Sequence, residues 1–140
     1  MITSFQGDAR IKDGSGNIEI RQLRGQLEID DGSGEIKVQQ VKGHITLTDG
    51  SGTILVEDLQ GGAGIEDGSG DISVSRITGD LRIRDGSGAI RVNEAQGNVI
   101  VSDGSGSIDI LNVGKDVVVE RDSSGSRRIS NVGGSVFLKE

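Results

Sequence analysis

Cysteine is missing from this sequence, and with it disulfides, thiol catalysis and thiolate metal sites. That absence leaves the compartment open, because many envelope and secreted bacterial proteins also lack it. Proline, tryptophan and tyrosine are missing too, and the only aromatic residues are Phe5 and Phe137. Aromatic rings normally supply much of a core's buried area, so any core here must be thin and aliphatic. No apolar run approaches the length that crosses a bilayer, which speaks against membrane insertion. The opening residues MITSFQGDAR hold no signal-peptide stretch, so an exported protein would need its targeting segment ahead of this chain. Positive charge is in short supply: 22 acidic residues face 15 basic ones, a formal net charge of −7. A polyanion would be repelled, so nucleic acid and anionic membranes are poor candidate partners, and no nucleic acid is expected.

Glycine is abundant, with 24 residues in a chain of 140, a length suited to a single domain over 1–140. Low-complexity disorder would account for so much glycine only if its placement were irregular. It is not. The tetrapeptide Asp-Gly-Ser-Gly begins at Asp13, Asp31, Asp49, Asp67, Asp85 and Asp103, always eighteen residues apart. A seventh, imperfect copy, Asp122-Ser123-Ser124-Gly125, arrives one residue late. A fixed period of this size marks a solenoid.

One repeat shows the plan of a coil. Asp80-Leu81-Arg82-Ile83-Arg84 alternates as a strand does, and Asp85-Gly86-Ser87-Gly88 turns the chain. Ala89-Ile90-Arg91-Val92-Asn93 alternates again, and Glu94-Ala95-Gln96-Gly97 turns it back. Each coil reads as two halves of nine residues, five in a strand and four in a turn. The expected fold is all-β: a parallel, two-sheeted β-solenoid (β-roll or β-helix) of about 7.5 eighteen-residue coils. Right-handed crossover is the general expectation for parallel strands, although these short arcs hold no helix to enforce it.

Stacking the coils aligns aliphatic residues in columns. One inward column begins Ala9, Leu27, Ile45 and ends Val117, Val136; its neighbour runs from Ile11 through Ile65 to Leu138. The opposite sheet offers Ile18, Ile36, Ile54, Ile72, Ile90 and Ile108, beside a rank that begins Ile20, Val38, Val56. A fifth column, Phe5, Leu23, Val41, Leu59, Ile77, Ala95, Val113 and Val132, falls in the second turn and is expected to fold inward as a plug. In the last coil Arg127 takes a place otherwise filled by Ile, as suits an open end where its guanidinium reaches water. Glycines in the arcs would supply positive φ, and each leading Asp would cap its turn through a backbone N–H two residues on.

The carboxylates Asp13, Asp31, Asp49, Asp67, Asp85, Asp103 and Asp122 should then form a file, about 4.8 Å apart. Turn capping is the expected role; a calcium column is the alternative. The coil is similar in length to the calcium-binding β-roll, but the second turn carries no regular carboxylate to match that roll's pattern. His44, the only histidine, heads an outward position near Thr46, Thr48, Asp49 and Ser51. Those last two belong to a turn repeated six times, so a solvated histidine is expected rather than a triad. No dinucleotide or phosphate-loop pattern occurs, and no catalytic residue or cofactor is expected. The Thr ranks of an ice-binding face are absent. Outward, Glu19 lies over Lys37, and Asp109 lies between Arg91 and Arg128, which suggests ladder ion pairs. One outward column instead reads Ile100, Val118, Phe137, a candidate contact patch for a second subunit or a neighbouring domain.

The run Gly79–Val92, with its recurrences and the closing Asn131-Val132-Gly133-Gly134, resembles the bacterial DUF4097 family over essentially the whole chain. Members of that family are described as adhesins. The resemblance implies a β-solenoid in an envelope-associated or extracellular protein, but supplies no motif to carry over residue by residue. Two function classes follow. One is a non-enzymatic, adhesin-like structural or interaction module that presents a rigid charged surface to a protein or cell-surface partner. The other is a self-assembling filament or scaffold, stacked through open solenoid ends. A designed repeat is a third origin for so regular a period, against which stand the irregular surface columns and the defective last coil.

Overall fold

The computed structural model describes residues 2–123 and 125–138. Ser124, inside the imperfect seventh tetrapeptide, lies outside the described residues. Sixteen strands alternate between two parallel sheets among those residues, and no helix occurs. One sheet holds β1 (Ile2–Gln6), β3 (Ile18–Arg24), β5 (Ile36–Lys42), β7 (Ile54–Gln60), β9 (Ile72–Ile77), β11 (Ile90–Ala95), β13 (Ile108–Val113) and β15 (Arg127–Val132). The other holds β2 (Ala9–Asp13), β4 (Leu27–Asp31), β6 (Ile45–Asp49), β8 (Ala63–Asp67), β10 (Leu81–Asp85), β12 (Val99–Asp103), β14 (Val117–Asp122) and β16 (Val136–Leu138). The chain is a parallel β-solenoid of about eight coils.

Register follows the eighteen-residue period. Ile72 pairs with Ile54 on one side and Ile90 on the other; Ile83 sits between Ile65 and Val101. Strand alternation sends these residues into one core, where Ile36, Ile54, Val56, Leu47 and Val92 show no exposed surface. No single rung can offset the ordering entropy of eighteen residues with about five buried aliphatics, so each rung depends on its neighbours. The columns confirm this at the ends. Val136 and Leu138 keep their register with Val117 and Val119, yet are 43% and 48% exposed because no described rung covers them. Phe5, expected as a plug, is likewise exposed in the first rung.

The second turn differs from the five-plus-four plan. Strands β3, β5 and β7 run for seven residues straight through the expected turn. The corner is made instead by one residue per rung in the left-handed region: Ser4, Gln22, Gln40, Asp58, Arg76, Glu94, Asn112 and Asn131, with φ between 55° and 61°. That one reversal re-aims the next side chain, so Leu23, Val41, Leu59, Ile77, Ala95 and Val113 are buried as the fifth column. None of these corner residues is glycine, and glutamine or arginine at positive φ gives no sequence cue.

The late arrival of the seventh tetrapeptide has a local cause. Val119 pairs with Val101, but Arg121 pairs with Ser102, so Glu120 is an extra residue in β14 and the register shifts there. The bulge absorbs the insertion before the arc, which lets Asp122 realign with Asp103.

Candidate functional site

Three surface or near-surface features could carry function, and each grows from one column of the repeat. The first is the aspartate file. Alternation along β4, β6, β8, β10 and β12 makes the fifth residue an inward one, so Asp31, Asp49, Asp67, Asp85 and Asp103 point into the core edge and are at most 5% exposed. The tetrapeptide pattern alone puts them in the turn. They are the last residues of their strands, and the arc begins behind them.

Each carboxylate caps its own arc. The backbone N–H of Ser33, Ser51, Ser69, Ser87 and Ser105 donates to Oδ1 of the Asp two residues before it, at 3.3, 3.2, 3.2, 3.1 and 3.0 Å. The expected Asx turns are therefore present. Oδ2 of the same five residues is buried and has no hydrogen-bond partner. Burial, the largest cause, pushes Asp67 up to about 6 and Asp85 up to about 7, with the neighbouring carboxylate of Asp49 or Asp67 adding to it. Asp49 and Asp103 are also raised, again chiefly by burial. At the far end Asp122 is met by Arg127, whose Nη1 donates to Oδ2 at 3.1 Å. The guanidinium in the Ile column thus serves the file as well as the open end. Only one carboxylate enters per rung, and among the described residues no group of three or more His, Asp or Glu side chains converges as a metal site. A calcium column would have to draw its remaining ligands from elsewhere.

The second feature is the apolar column. Ile100 pairs with Val118, and Val118 with Phe137, on the outer face of the second sheet. Ile100 and Val118 are half-buried, while Phe137 is 51% exposed. Above them Arg82 reaches across Ile100 to Glu120 at 3.6 Å, so the bulge residue borders the patch with charge. The structure brings the three residues together as the period demanded.

The third feature is the left-handed corner, whose side chains face outward and stack. Ser4 Oγ donates to Gln22 Oε1 at 2.7 Å, Arg76 binds Asp58, and Asn112 Nδ2 donates to Asn93 Oδ1 at 3.0 Å. A shallow groove of about 680 Å³ runs beside this ladder from Ser4 to Asp58. Within it Ser4 and Gln22 bond each other, while Asp58 is taken by Arg76.

His44 is exposed, whereas the Asp49 carboxylate points into the core, so the two do not meet as catalytic partners. Neither of the expected ladder ion pairs forms among the described residues, although others do. Arg10 pairs with Glu28 at 3.3 Å and Arg84 with Glu66 at 3.5 Å, each eighteen residues apart. Glu19, although in register with Lys37, takes Arg21 of its own strand at 2.8 Å. Asp109 lies in register between Arg91 and Arg128 without an ion pair to either among the described residues.

Comparison with known proteins gives one family. The family described as Toastrack DUF4097 matches residues 7–131. No curated protein and no solved structure matches the chain.

Proposed function

Since this chain belongs to the Toastrack DUF4097 family, we propose that it is a non-catalytic interaction module, a rigid charged rod that meets a protein or cell-surface partner through its C-terminal end. The observation that carries this reading is the run Ile100, Val118 and Phe137, three apolar side chains in an outward column otherwise made of Arg10, Glu28, Thr46, Gly64 and Arg82. Large apolar side chains aligned on a soluble surface mark contact sites. An adhesin-like role at the cell envelope is the specific form of this proposal. No described helix is long and apolar enough to cross a membrane, so attachment there would rest on contacts or on other segments.

Beads coated with the protein and incubated with cells of its host provide the test. Val118→Lys with Phe137→Lys should reduce bead retention at least several-fold while leaving circular dichroism and thermal stability unchanged. Equal retention by the variant and the native chain would show that the patch is not the contact site.

A second reading is favoured by a different observation: among the described residues, β1 and β2 at one end, and β15 and β16 at the other, each leave one strand edge unpaired. Unpaired parallel edges template pairing with another copy, and end-to-end stacking would cover Val136 and Leu138. Regular-width fibres by electron microscopy, growing with protein concentration, would favour that reading over the module.

A further inference from the structure

A buried carboxylate with one oxygen unused is costly, and here five stand in a row. The register places Asp13, Asp31, Asp49, Asp67, Asp85 and Asp103 directly over one another, one per rung, with neighbouring strands about 4.8 Å apart. If all were ionised, each would repel the carboxylates above and below in a medium that screens poorly. Little on the surrounding elements relieves this. The sheet packed across the arc presents the aliphatic column Ile18 to Ile108. Asp71, just after the arc, adds negative charge beside Asp67. The outward neighbours Lys12, Asp30, Glu66, Arg84 and Arg121 are exposed on the opposite face of their strands. The facing cation is Arg127, and it is engaged at the last member, Asp122.

A proton resolves what the protein groups do not. A protonated carboxyl buries its unused Oδ2 as a neutral group, which costs far less than burying a charge, and it no longer repels the carboxylates above and below. Each proton bound thus removes one negative charge from the stack, while Oδ1 continues to cap the arc. We propose that the arc aspartates form a proton-binding file, in which buried carboxyls stacked rung on rung take up protons rather than all standing ionised. The file is a built-in acid-strengthened seam along one edge of the core.

Four members of the file agree in direction. Asp67 and Asp85, in the middle, are raised to about 6 and about 7, and Asp49 and Asp103 are raised on either side. A carboxyl whose folded value lies above the unfolded value of 3.8 holds its proton more tightly when folded. Its contribution is fully present below about pH 4 and is lost as the pH rises through about 6 to 7. The usual surface carboxylate, favoured in its ionised form, behaves in the opposite sense. This protein should therefore melt at a higher temperature in mild acid than in mild base.

Thermal unfolding of the full chain at fixed ionic strength tests this. The melting temperature at about pH 5 should exceed that at about pH 8 by roughly 5 °C or more. Asp67→Asn with Asp85→Asn keeps the capping oxygen and supplies an N–H donor in place of the proton. That variant should melt higher than the native chain at about pH 8, and its pH dependence should be flatter; Asp30→Asn, on the exposed face, should leave the dependence as it was. Should the double variant fail to fold, carboxyl carbon NMR of the native chain reads the same sites, with midpoints for Asp67 and Asp85 expected well above 5. A melting temperature that is flat or rises from about pH 5 to pH 8, or midpoints near 4, would overturn the proposal. So would about 1 mM calcium if it abolished the pH dependence, since the file would then take a metal cation in place of protons.

Discussion

A glycine can be required by its own backbone or by its neighbour's, and the arcs of this solenoid use both reasons within one tripeptide. The second glycine of each Gly-Ser-Gly has positive φ, as at Gly70 with φ +124°, which side chains rarely adopt. The first does not. At Gly68 φ is ordinary, but a Cβ would sit 2.6 Å from the carbonyl oxygen of Gly50 in the rung beneath. Close stacking of the arcs, rather than left-handed geometry, excludes a side chain there. Gly14 provides the matched control, because it occupies the same place in the first rung and a Cβ would meet nothing within 4 Å. Gly14→Ala should change stability by less than about 0.5 kcal/mol, whereas Gly68→Ala should cost on the order of 1–3 kcal/mol in urea unfolding. Equal costs at the two sites would mean that arc stacking is looser than described. The corner residues show a related economy: Asn112 and Asn131, the residue type that best tolerates φ near 60°, fill two of eight such places and stack in the process.

At the scale of the strand and its rung, burial follows a two-residue rhythm that one substitution can test. Ile72 is buried in β9 between Ile54 and Ile90, while Ser73 is half-exposed on the outer face. Ile72→Asp places an unpaired charge in the core and should cost about 4 kcal/mol or more, enough to unfold or split the array; Ser73→Asp should be nearly neutral. Thermal melts of the two variants decide it, and matching values would refute the inward assignment. This rhythm was legible in the sequence because the eighteen-residue period aligns Ile72 with five other isoleucines, and no irregularity interrupts the columns before the bulge. The inward aspartates were harder to read. Asp85 follows Arg84 in strict alternation, so the pattern already pointed it inward, but an acidic residue beside Gly-Ser-Gly also fits a turn. Only the stacked register shows that the strand runs one residue further. The left-handed corner was not legible at all, since Gln22, Gln40 and Arg76 share no chemistry that announces positive φ. The fifth aliphatic column was its indirect trace.

The whole molecule is a rod with a polar sign and two unlike ends. Its net charge of −7 favours dispersal in solution, and its C-terminal end gathers the exposed Val136, Phe137 and Leu138. Of the candidate sites, the apolar column was readable from spacing alone, because Ile100 and Val118 differ by one period and the inserted Glu120 accounts for the extra step to Phe137. The proton file was not, because its chemistry depends on which carboxylate oxygens the fold leaves without partners. Residues eighteen apart lie side by side in every rung before the bulge, and the absence of cysteine makes that testable without background. Glu28 and Thr46 are exposed register partners in β4 and β6, so their Cα atoms should stand about 4.8 Å apart, within disulfide reach. Thr48 is two residues further along the same face, which puts it roughly 8 Å from Glu28 and out of reach. Mild oxidation of Glu28→Cys with Thr46→Cys should yield an intramolecular disulfide in most molecules, and Glu28→Cys with Thr48→Cys should yield almost none; efficient bridging of the second pair, or none of the first, would contradict the eighteen-residue stack.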